Sequence, residues 1–449
     1  MLPEKFKERM KDILGEEYSK FEKALEEPNV RAIRVNTTKI SVESFLSKTR
    51  LSLSPIDYAS DGFIPETADG IGKTPEHHAG MFYVQDPGAM ATVKALEIQP
   101  GWRVLDACSA PGGKASQLAS AIGDKGFLLA NEYTPKRAKI IVSNFERLGI
   151  RNALVTSLDT AKLGEMFHSY FNLVLCDAPC SGEGMFRKYD EAITEWSEEN
   201  VRLCAERQRE ILNNLANTVM PGGYLLYSTC TYSREENEWT VADFLENHPE
   251  YSLCEVGKKL LSATSNGLDG MTEARRFYPH ITSGEGQFIA LMKKQEDPGD
   301  LSTILYKESI KPPTKEELSV VNKFIFDNIS TSLDGRIIKW GDFLALIPHS
   351  LPIPPISVFM PGIMLGEVKK GNFFPHHQLF SAYGQAFKRR ENLTSEDERA
   401  EKYLRGEEIY TESNDSGWCA ILYEGTPLGG GKISSGRIKN HYPKGLRNN

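Results

Sequence analysis

The chain has 449 residues, of which 40% are hydrophobic and 25% charged, with a net charge of -8. That length exceeds what one hydrophobic core organises and predicts about two to four domains of an ordinary globular protein. The acidic balance argues against a blanket nucleic-acid binder, and no apolar run is long enough to span a bilayer.

The N-terminal stretch MLPEKFKERMKDILGEEYSK mixes charges and lacks a secretory apolar core, so the cytoplasm is the expected compartment. Residues 3–27 read as an amphipathic helix or helix pair, residues 31–36 (RAIRVN) as a strand and residues 42–48 as a helix. This small α/β unit is placed at residues 1–75. A turn-rich stretch (PEHHAGMFYVQDP) leads into a helix over 88–96.

A regular alternation follows. Strand 103–108 runs into a glycine-rich turn and helix 114–122; strand 127–131 precedes helix 135–148; strands 153–157 and 172–176 come next. Helix 198–219 carries Val201, Cys204, Ile211 and Leu215 at helical spacing, strand 224–227 and helix 235–247 follow, and 251–254 and 287–292 are the last strands. Strand, helix, strand at this spacing predicts a doubly wound, mainly parallel sheet over residues 76–295. Past Lys293 the segment KKQEDPGDLST reads as a polar linker, and the proline pair in KPPTKEE opens a new unit. Prolines are dense between residues 351 and 361, and short strands and helices fill a C-terminal region at 312–449, in one unit or two halves. From Thr426 onward the chain has Lys432, Arg437, Lys439, Lys444 and Arg447 and no acidic residue. This is either a local basic patch or a solvated tail.

Seven cysteines, an odd number without paired CxxC or His-rich spacing, predict neither a disulfide framework nor a metal site. Cys204, Cys254 and Cys419 read as small buried hydrophobes. Cys180, in DAPCSGEG, and Cys230, in YSTCTYS, each follow an apolar strand. Ligands in open α/β sheets bind beyond the carboxyl ends of the strands, so both thiols are expected over one crevice. Two thiols on polar turns suggest nucleophilic chemistry, in which one attacks and the other helps complete the reaction.

Strand 103–106 runs into Ala107, Cys108, Ser109, Ala110, Pro111, Gly112, Gly113 and Lys114. Adjacent glycines let a ligand approach the backbone, and the helix behind them offers free N–H donors. Glu132 ends the next strand, 20 residues past Gly112, where a carboxylate can accept from ribose hydroxyls. Asp159 follows the third strand, placed to accept from an adenine amino group, and Asp177 ends the fourth, near a cationic methionine moiety. Together these fit S-adenosylmethionine better than a dinucleotide. Lys136, Arg137 and Lys139 read as a solvated helix face, with Arg137 also counted among the cofactor contacts.

LDACSAPGGK, DAPCSGEG and YSTCTYS, in this order, resemble the Sun-type family of RNA cytosine-carbon-5 methyltransferases, and RFYPH (276–280) with GEG (284–286) resembles the segment before that family's last strand. The resemblance covers roughly residues 30–293. The C-terminal GWC, GTPLGGG and KNHYPKGLR sequences look like the RNA-binding extension of bacterial members acting on small-subunit ribosomal RNA. It implies a Rossmann-like class I methyltransferase sheet, mostly parallel with the last strand antiparallel. A small N-terminal RNA-binding domain and a C-terminal α+β RNA-binding region, its last part PUA-like, would flank that sheet. It further implies that Cys230 is the nucleophile, that Cys180 assists release, that Asp177 holds or protonates the pyrimidine edge and that Lys114 orients the base.

The expected partner is ribosomal RNA or the small ribosomal subunit, met by a monomer, with no DNA and no membrane. Arg31, Arg34, Lys39 and the basic C-terminal patch are candidate RNA contacts, with Tyr442 and Trp418 either stacking on bases or packed in the core. Two rival readings are the same chemistry on transfer RNA and a non-catalytic ribosome-assembly factor. An amino-adenine enzyme would want a DPPY-type tetrapeptide where this chain has Asp-Ala-Pro-Cys.

Overall fold

The structure, a computed structural model, describes residues 2–297, 299, 302–308, 310–347 and 353–448. Part of the expected linker, at residues 298, 300 and 301, and the first two residues of the proline-dense stretch lie outside the described residues.

Two short helices, Glu4–Leu14 and Tyr18–Glu26, start the chain. Their apolar faces (Phe6, Met10, Phe21) pack with Phe186, Trp196, Tyr232 and Tyr278. The first helix thus covers the two loops that carry Cys180 and Cys230. A four-stranded antiparallel sheet follows, with Ala32–Val35 between Ala59–Pro65 and Phe82–Gln85 and with Leu53–Ile56 at its edge. The first unit, expected to stop at residue 75, therefore reaches through Phe82–Gln85.

At the centre lies a large sheet. Ala153–Thr156, Phe127–Asn131, Arg103–Asp106, Phe171–Asp177 and Val219–Thr229 lie side by side in parallel. Gln287–Lys294 joins antiparallel to Val219–Thr229, as expected for the last strand, and Tyr251–Cys254 pairs with it. Strand order reverses between Arg103–Asp106 and Phe171–Asp177, and such a switch point opens a crevice above the strand ends. Both faces of this sheet are covered, which is why its strands are continuous apolar runs such as Val104-Leu105 and Leu173-Val174-Leu175. Helix Glu198–Ala216 lays Val201, Cys204, Ala205, Ile211, Leu212 and Leu215 inward at spacings of three and four.

The C-terminal region holds a four-stranded sheet (Arg336–Trp340, Phe343–Ile347, Ile363–Lys369, Asn372–Pro375) and a five-stranded sheet built on Gly417–Tyr423 and Thr426–Ser434. It also lends Val358–Met360 to the free edge of the central sheet, antiparallel to Ala153–Thr156. An edge strand's unpaired backbone groups call for such a partner.

Of the residues expected to meet RNA, Arg34 and Tyr442 are buried and Lys39 is half-buried with its ammonium engaged inside the protein. Arg34 is buried, its guanidinium donating to Gln85 Oε1 at 2.9 Å, Ser116 Oγ at 2.7 Å and Gly113 O at 3.2 Å. Lys39 donates to the carbonyls of Ala79, Arg147 and Pro427, which joins the N-terminal unit, the central unit and the C-terminal region. Burial, with Arg147 nearby, pushes its ammonium down to about 7. Tyr442 is buried, its hydroxyl 2.8 Å from His78 Nδ1. In each case the strand or turn that carries the residue faces another unit, which local sequence does not reveal. Arg31, Lys432, Arg437, Lys439 and Lys444 are exposed, whereas Arg447 is half-buried and donates to Tyr442 O. Trp418 is half-buried, with Lys432 Nζ 5.8 Å from its ring centroid.

Replacing Arg34 leaves buried acceptors without a donor. Arg34→Ala is expected to lose about 1–3 kcal/mol in denaturant unfolding, with the salt dependence of RNA binding by the folded protein unchanged.

Candidate active site

The crevice above the switch point collects the residues picked out by the motifs. Strand register does most of this: Tyr227 pairs with Cys176 and Ser228 with Asp177, so the loops beyond them emerge side by side. Cys180 Sγ and Cys230 Sγ are 3.2 Å apart, although 50 residues separate them in the chain. Gly184 N donates to Cys230 O at 2.9 Å, and a Cβ on Gly184 would stand 2.8 Å from that oxygen, so glycine is required by close approach. The Cys180 thiol is pushed well above its ordinary range, first by its hydrogen bond to Cys230, then by burial and the Cys230 charge.

Asp177 sits beside the thiols. It accepts from Ser228 Oγ at 2.6 Å through Oδ1 and from Lys114 Nζ at 2.8 Å through Oδ2. Burial works against the Lys114 charge, but Asp177, Cys230 and Asp106 outweigh it and hold the ammonium above its ordinary value. Cation, carboxylate and two thiols therefore form one electrostatically linked group.

The glycine-rich turn lies at the same edge. Gly112 has φ 105°, in the left-handed region, and starts helix Gly113–Ile122. A Cβ on Gly113 would lie 3.0 Å from the Tyr83 ring, so that strand packs onto the turn. Ser109 N donates to Asn131 O at 2.7 Å, and the nearby Cys108 thiol and burial push the Cys176 thiol well above its ordinary range. Glu132 is buried and accepts from Thr134 N at 3.0 Å and Arg137 Nη1 at 3.3 Å. Arg137 also donates to Ala110 O at 3.2 Å, so it braces the Glu132 strand end against the turn while staying exposed with Lys136 and Lys139 on the solvated helix face. Asp159 is exposed and caps helix Thr160–Met166 through Ala161 N at 2.9 Å. Pro111 is exposed at the rim.

Several site residues were not singled out in the sequence. Asp106 is buried, and among the described residues neither of its carboxylate oxygens has a hydrogen-bond partner. Burial and then Asp177 push its carboxyl up from 3.8 to about 7, with nearby Ser109 and Cys108 tempering the shift. An unsatisfied buried acid is costly and marks a place for a donor-bearing ligand. Asn131 ties strand ends together, donating to Ala107 O and Leu158 O while accepting from Thr156 and Leu158 N. Ser228 holds Asp177, and the buried glutamates Glu183 and Glu236 lie behind the cysteine loops. Asp106 stood in the open as the acid just before the glycine turn, and Glu183 and Ser228 lay inside the two cysteine motifs; Asn131 and Glu236 have no signal short of contact. All seven cysteines are free, and among the described residues no cluster of metal ligands is found.

Residues 93–293 match the family model described as 16S rRNA methyltransferase RsmB/F, residues 2–87 that of the N-terminal domain of 16S rRNA methyltransferase RsmF, and residues 390–448 that of the methyltransferase RsmF PUA domain. The ribosomal RNA small subunit methyltransferase F of Vibrio vulnificus is 31% identical, over 99% of this chain and 97% of its own length. The chain belongs to the RsmF family of 16S rRNA methyltransferases. The namesake from Klebsiella pneumoniae is 33% identical over 96% of this chain and 92% of its own. A methyltransferase homologue from Pyrococcus horikoshii is 30% identical with a TM-score of 0.55, covering 63% of this chain and 92% of that one. NSun6 from Pyrococcus horikoshii, at 24% identity and a TM-score of 0.58 over 66% of this chain and 99% of that one, shares the fold. The RsmF assignment makes this chain an RNA methyltransferase whose last domain is PUA-like, with the doubly wound sheet expected of it.

Because Asp106 is raised from 3.8 to about 7, its neutral form is favoured by folding, and that stabilisation is lost as pH climbs between those values. Asp106→Asn is expected to melt higher than the parent by a margin that widens over that span, in the absence of ligand. A constant margin in calorimetry at several pH values would contradict the assignment.

Proposed function

We propose that the protein transfers a methyl group from S-adenosylmethionine to carbon 5 of a cytosine in small-subunit ribosomal RNA, through a bond between Cys230 and carbon 6. The carrying observation is the thiol pair at 3.2 Å, adjoining the Lys114–Asp177 pair. The relatives' small-subunit ribosomal RNA names support the substrate.

The residues present fit the cofactor. The turn from Cys108 to Lys114 offers backbone donors, Glu132 suits ribose hydroxyls, Asp159 suits the adenine amino group, and Asp106 and Asp177 offer carboxyl oxygens to the methionine end. When bound, S-adenosylmethionine supplies an electrophilic methyl group. Arg137 acts through Glu132 and Ala110 and shapes this pocket.

Carbon 5 of cytosine is a poor nucleophile. Addition of the Cys230 thiolate to carbon 6 moves the double-bond electrons to carbon 5 and the pyrimidine edge. Asp177 holds that edge, and Lys114, hydrogen-bonded to it, orients the base with a proton within reach. Carbon 5 then takes the methyl group. Cys180, its own thiol proton given up to solvent, takes the carbon 5 proton; the carbon 5–hydrogen electrons re-form the double bond and the carbon–sulfur electrons return to Cys230. Cys180 is poised for that last stage. Its thiol is held protonated mainly by Cys230; once Cys230 is bonded to carbon 6, that hydrogen bond and charge are gone, and Cys180 loses its proton more readily when a base is needed.

The base must leave its stack to enter the crevice. A cytoplasmic monomer, without a DNA or membrane partner, would present Arg31 and the exposed Lys432, Arg437, Lys439 and Lys444 to the RNA.

The test is a denaturing gel of wild type, Cys180→Ala and Cys230→Ala with 16S ribosomal RNA and cofactor. Cys180→Ala should accumulate an RNA-linked band and Cys230→Ala should form none; the reverse pattern would exchange the two roles, and no band with any variant would count against the covalent route. In the RNA-free protein, Cys230→Ala should also speed alkylation of Cys180 by iodoacetamide at fixed pH, read by peptide mass spectrometry.

A further inference from the structure

Each cysteine loop carries a buried glutamate that grips the other loop. Glu183, three residues past Cys180, accepts through Oε2 from Thr231 Oγ1 at 2.8 Å and Tyr232 N at 2.9 Å. Through Oε1 it accepts from Ser233 Oγ and Trp196 Nε1, each at 2.8 Å. Four donors occupy its two oxygens, as befits an ionised carboxylate. Glu236, six residues past Cys230, accepts through Oε2 from Ser181 N at 2.9 Å and Gln208 Nε2 at 2.8 Å. Its Oε1 faces the Ser181 hydroxyl, and that hydroxyl is 2.9 Å from Thr231 Oγ1.

The oxygens form one chain: Glu236 Oε1, Ser181 Oγ, Thr231 Oγ1, Glu183 Oε2. It has three links, and the two hydroxyls supply two protons. With both carboxylates ionised, one link would press two buried oxygens together with no hydrogen between them, at the cost of an unmade hydrogen bond and a second buried charge. One more proton completes the chain. Glu183 is the poorer place for it, because Tyr232 N, Trp196 Nε1 and Ser233 Oγ already donate to it from outside the chain, whereas Glu236 Oε1 faces the Ser181 hydroxyl alone.

We propose that Glu236 is a neutral acid donating to Ser181, and that this proton-completed chain positions Cys180 and Cys230 for the reaction proposed above. Burial supports the assignment by pushing the Glu236 carboxyl up to about 7, with Glu183 adding to the shift and the Ser181 and Gln208 donors opposing it. The other titratable groups facing it are Cys180 on the opposing loop, Cys204 on helix Glu198–Ala216, and Tyr227 on the strand below, whose hydroxyl donates to Glu236 O at 2.6 Å; Arg209 bears on Tyr227. Loss of the proton sets a second negative charge beside Glu183 and breaks the chain between the loops. The functional consequence rests on the cysteine chemistry proposed above; the protonation state does not.

Glutamine reproduces the neutral acid at every pH, its oxygen accepting from Ser181 N and Gln208 and its amide donating to Ser181 Oγ. The experiment compares wild type, Glu236→Gln and Glu236→Ala. For a carboxyl raised from 4.5 to about 7, stabilisation present below the lower value is lost on rising through the upper one, so the melting advantage of Glu236→Gln over wild type should widen across that span. Infrared difference spectra between the two should show a protonated carboxyl band that titrates away near 7. With 16S RNA and S-adenosylmethionine, Glu236→Gln should match the wild-type kcat on the acid side and exceed it on the alkaline side at unchanged KM. Glu236→Ala should lose about 10- to 100-fold in kcat at every pH. A missing carboxyl band, a pH-independent melting offset, or a Glu236→Gln as impaired as Glu236→Ala on the acid side would overturn the proposal. The melting and infrared arms need no turnover, so they hold even where the methylation reading fails, and they decide the case if Glu236→Ala does not fold.

Discussion

Parallel pairing of Phe171–Asp177 with Val219–Thr229, in the register that sets Ser228 opposite Asp177, is the constraint on which the site depends. Those strands end level, so the turns beyond them face each other across one crevice. Asp177 then reaches Ser228 on the neighbouring strand and Lys114 on the cofactor helix, and the two thiols come to 3.2 Å. A one-residue slip would turn every side chain to the opposite face of the sheet and dissolve the group.

That placement brings polar groups into a dry interior, where each must find a partner. The fold answers with cross-links between loops as well as within them. Glu183 binds the Cys230 loop, Glu236 binds the Cys180 loop, and Arg276 pairs with Glu238 while donating to Tyr232 O at 2.8 Å. The N-terminal helices close over this arrangement with Phe6 and Phe21 against Tyr232. Among the described residues Asp106 has no partner on either carboxylate oxygen, at the edge of the crevice. Stability given up at such a position is stability that a bound ligand can return.

The flanking units are tied to the catalytic sheet by the same means. Lys39 caps carbonyls from both other units, and Val358–Met360 extends the central sheet from the far end of the chain. The exposed cations of the last domain are thereby held at a set position relative to the crevice, which suits a large folded RNA better than a free tail would.

Local pattern was enough for the strand–helix alternation and the motifs at the strand ends, because apolar runs and glycine turns report burial and backbone conformation within a few residues; the antiparallel last strand followed from the family resemblance. It was enough to put Cys180, Cys230, Asp177 and Lys114 in one crevice, since topology alone brings parallel strand ends together. It was not enough to tell an interior cation from a surface one. Arg34, Lys39 and Tyr442 look like RNA contacts by type, but their surroundings come from residues tens to hundreds of positions away. The same holds for Glu183 and Glu236, two ordinary acids in the sequence whose partners lie about fifty residues off. Fold class and site chemistry are thus written in short-range pattern, while the charge state of a side chain and the partner it serves are decided by long-range packing, because both depend on which distant groups share its burial.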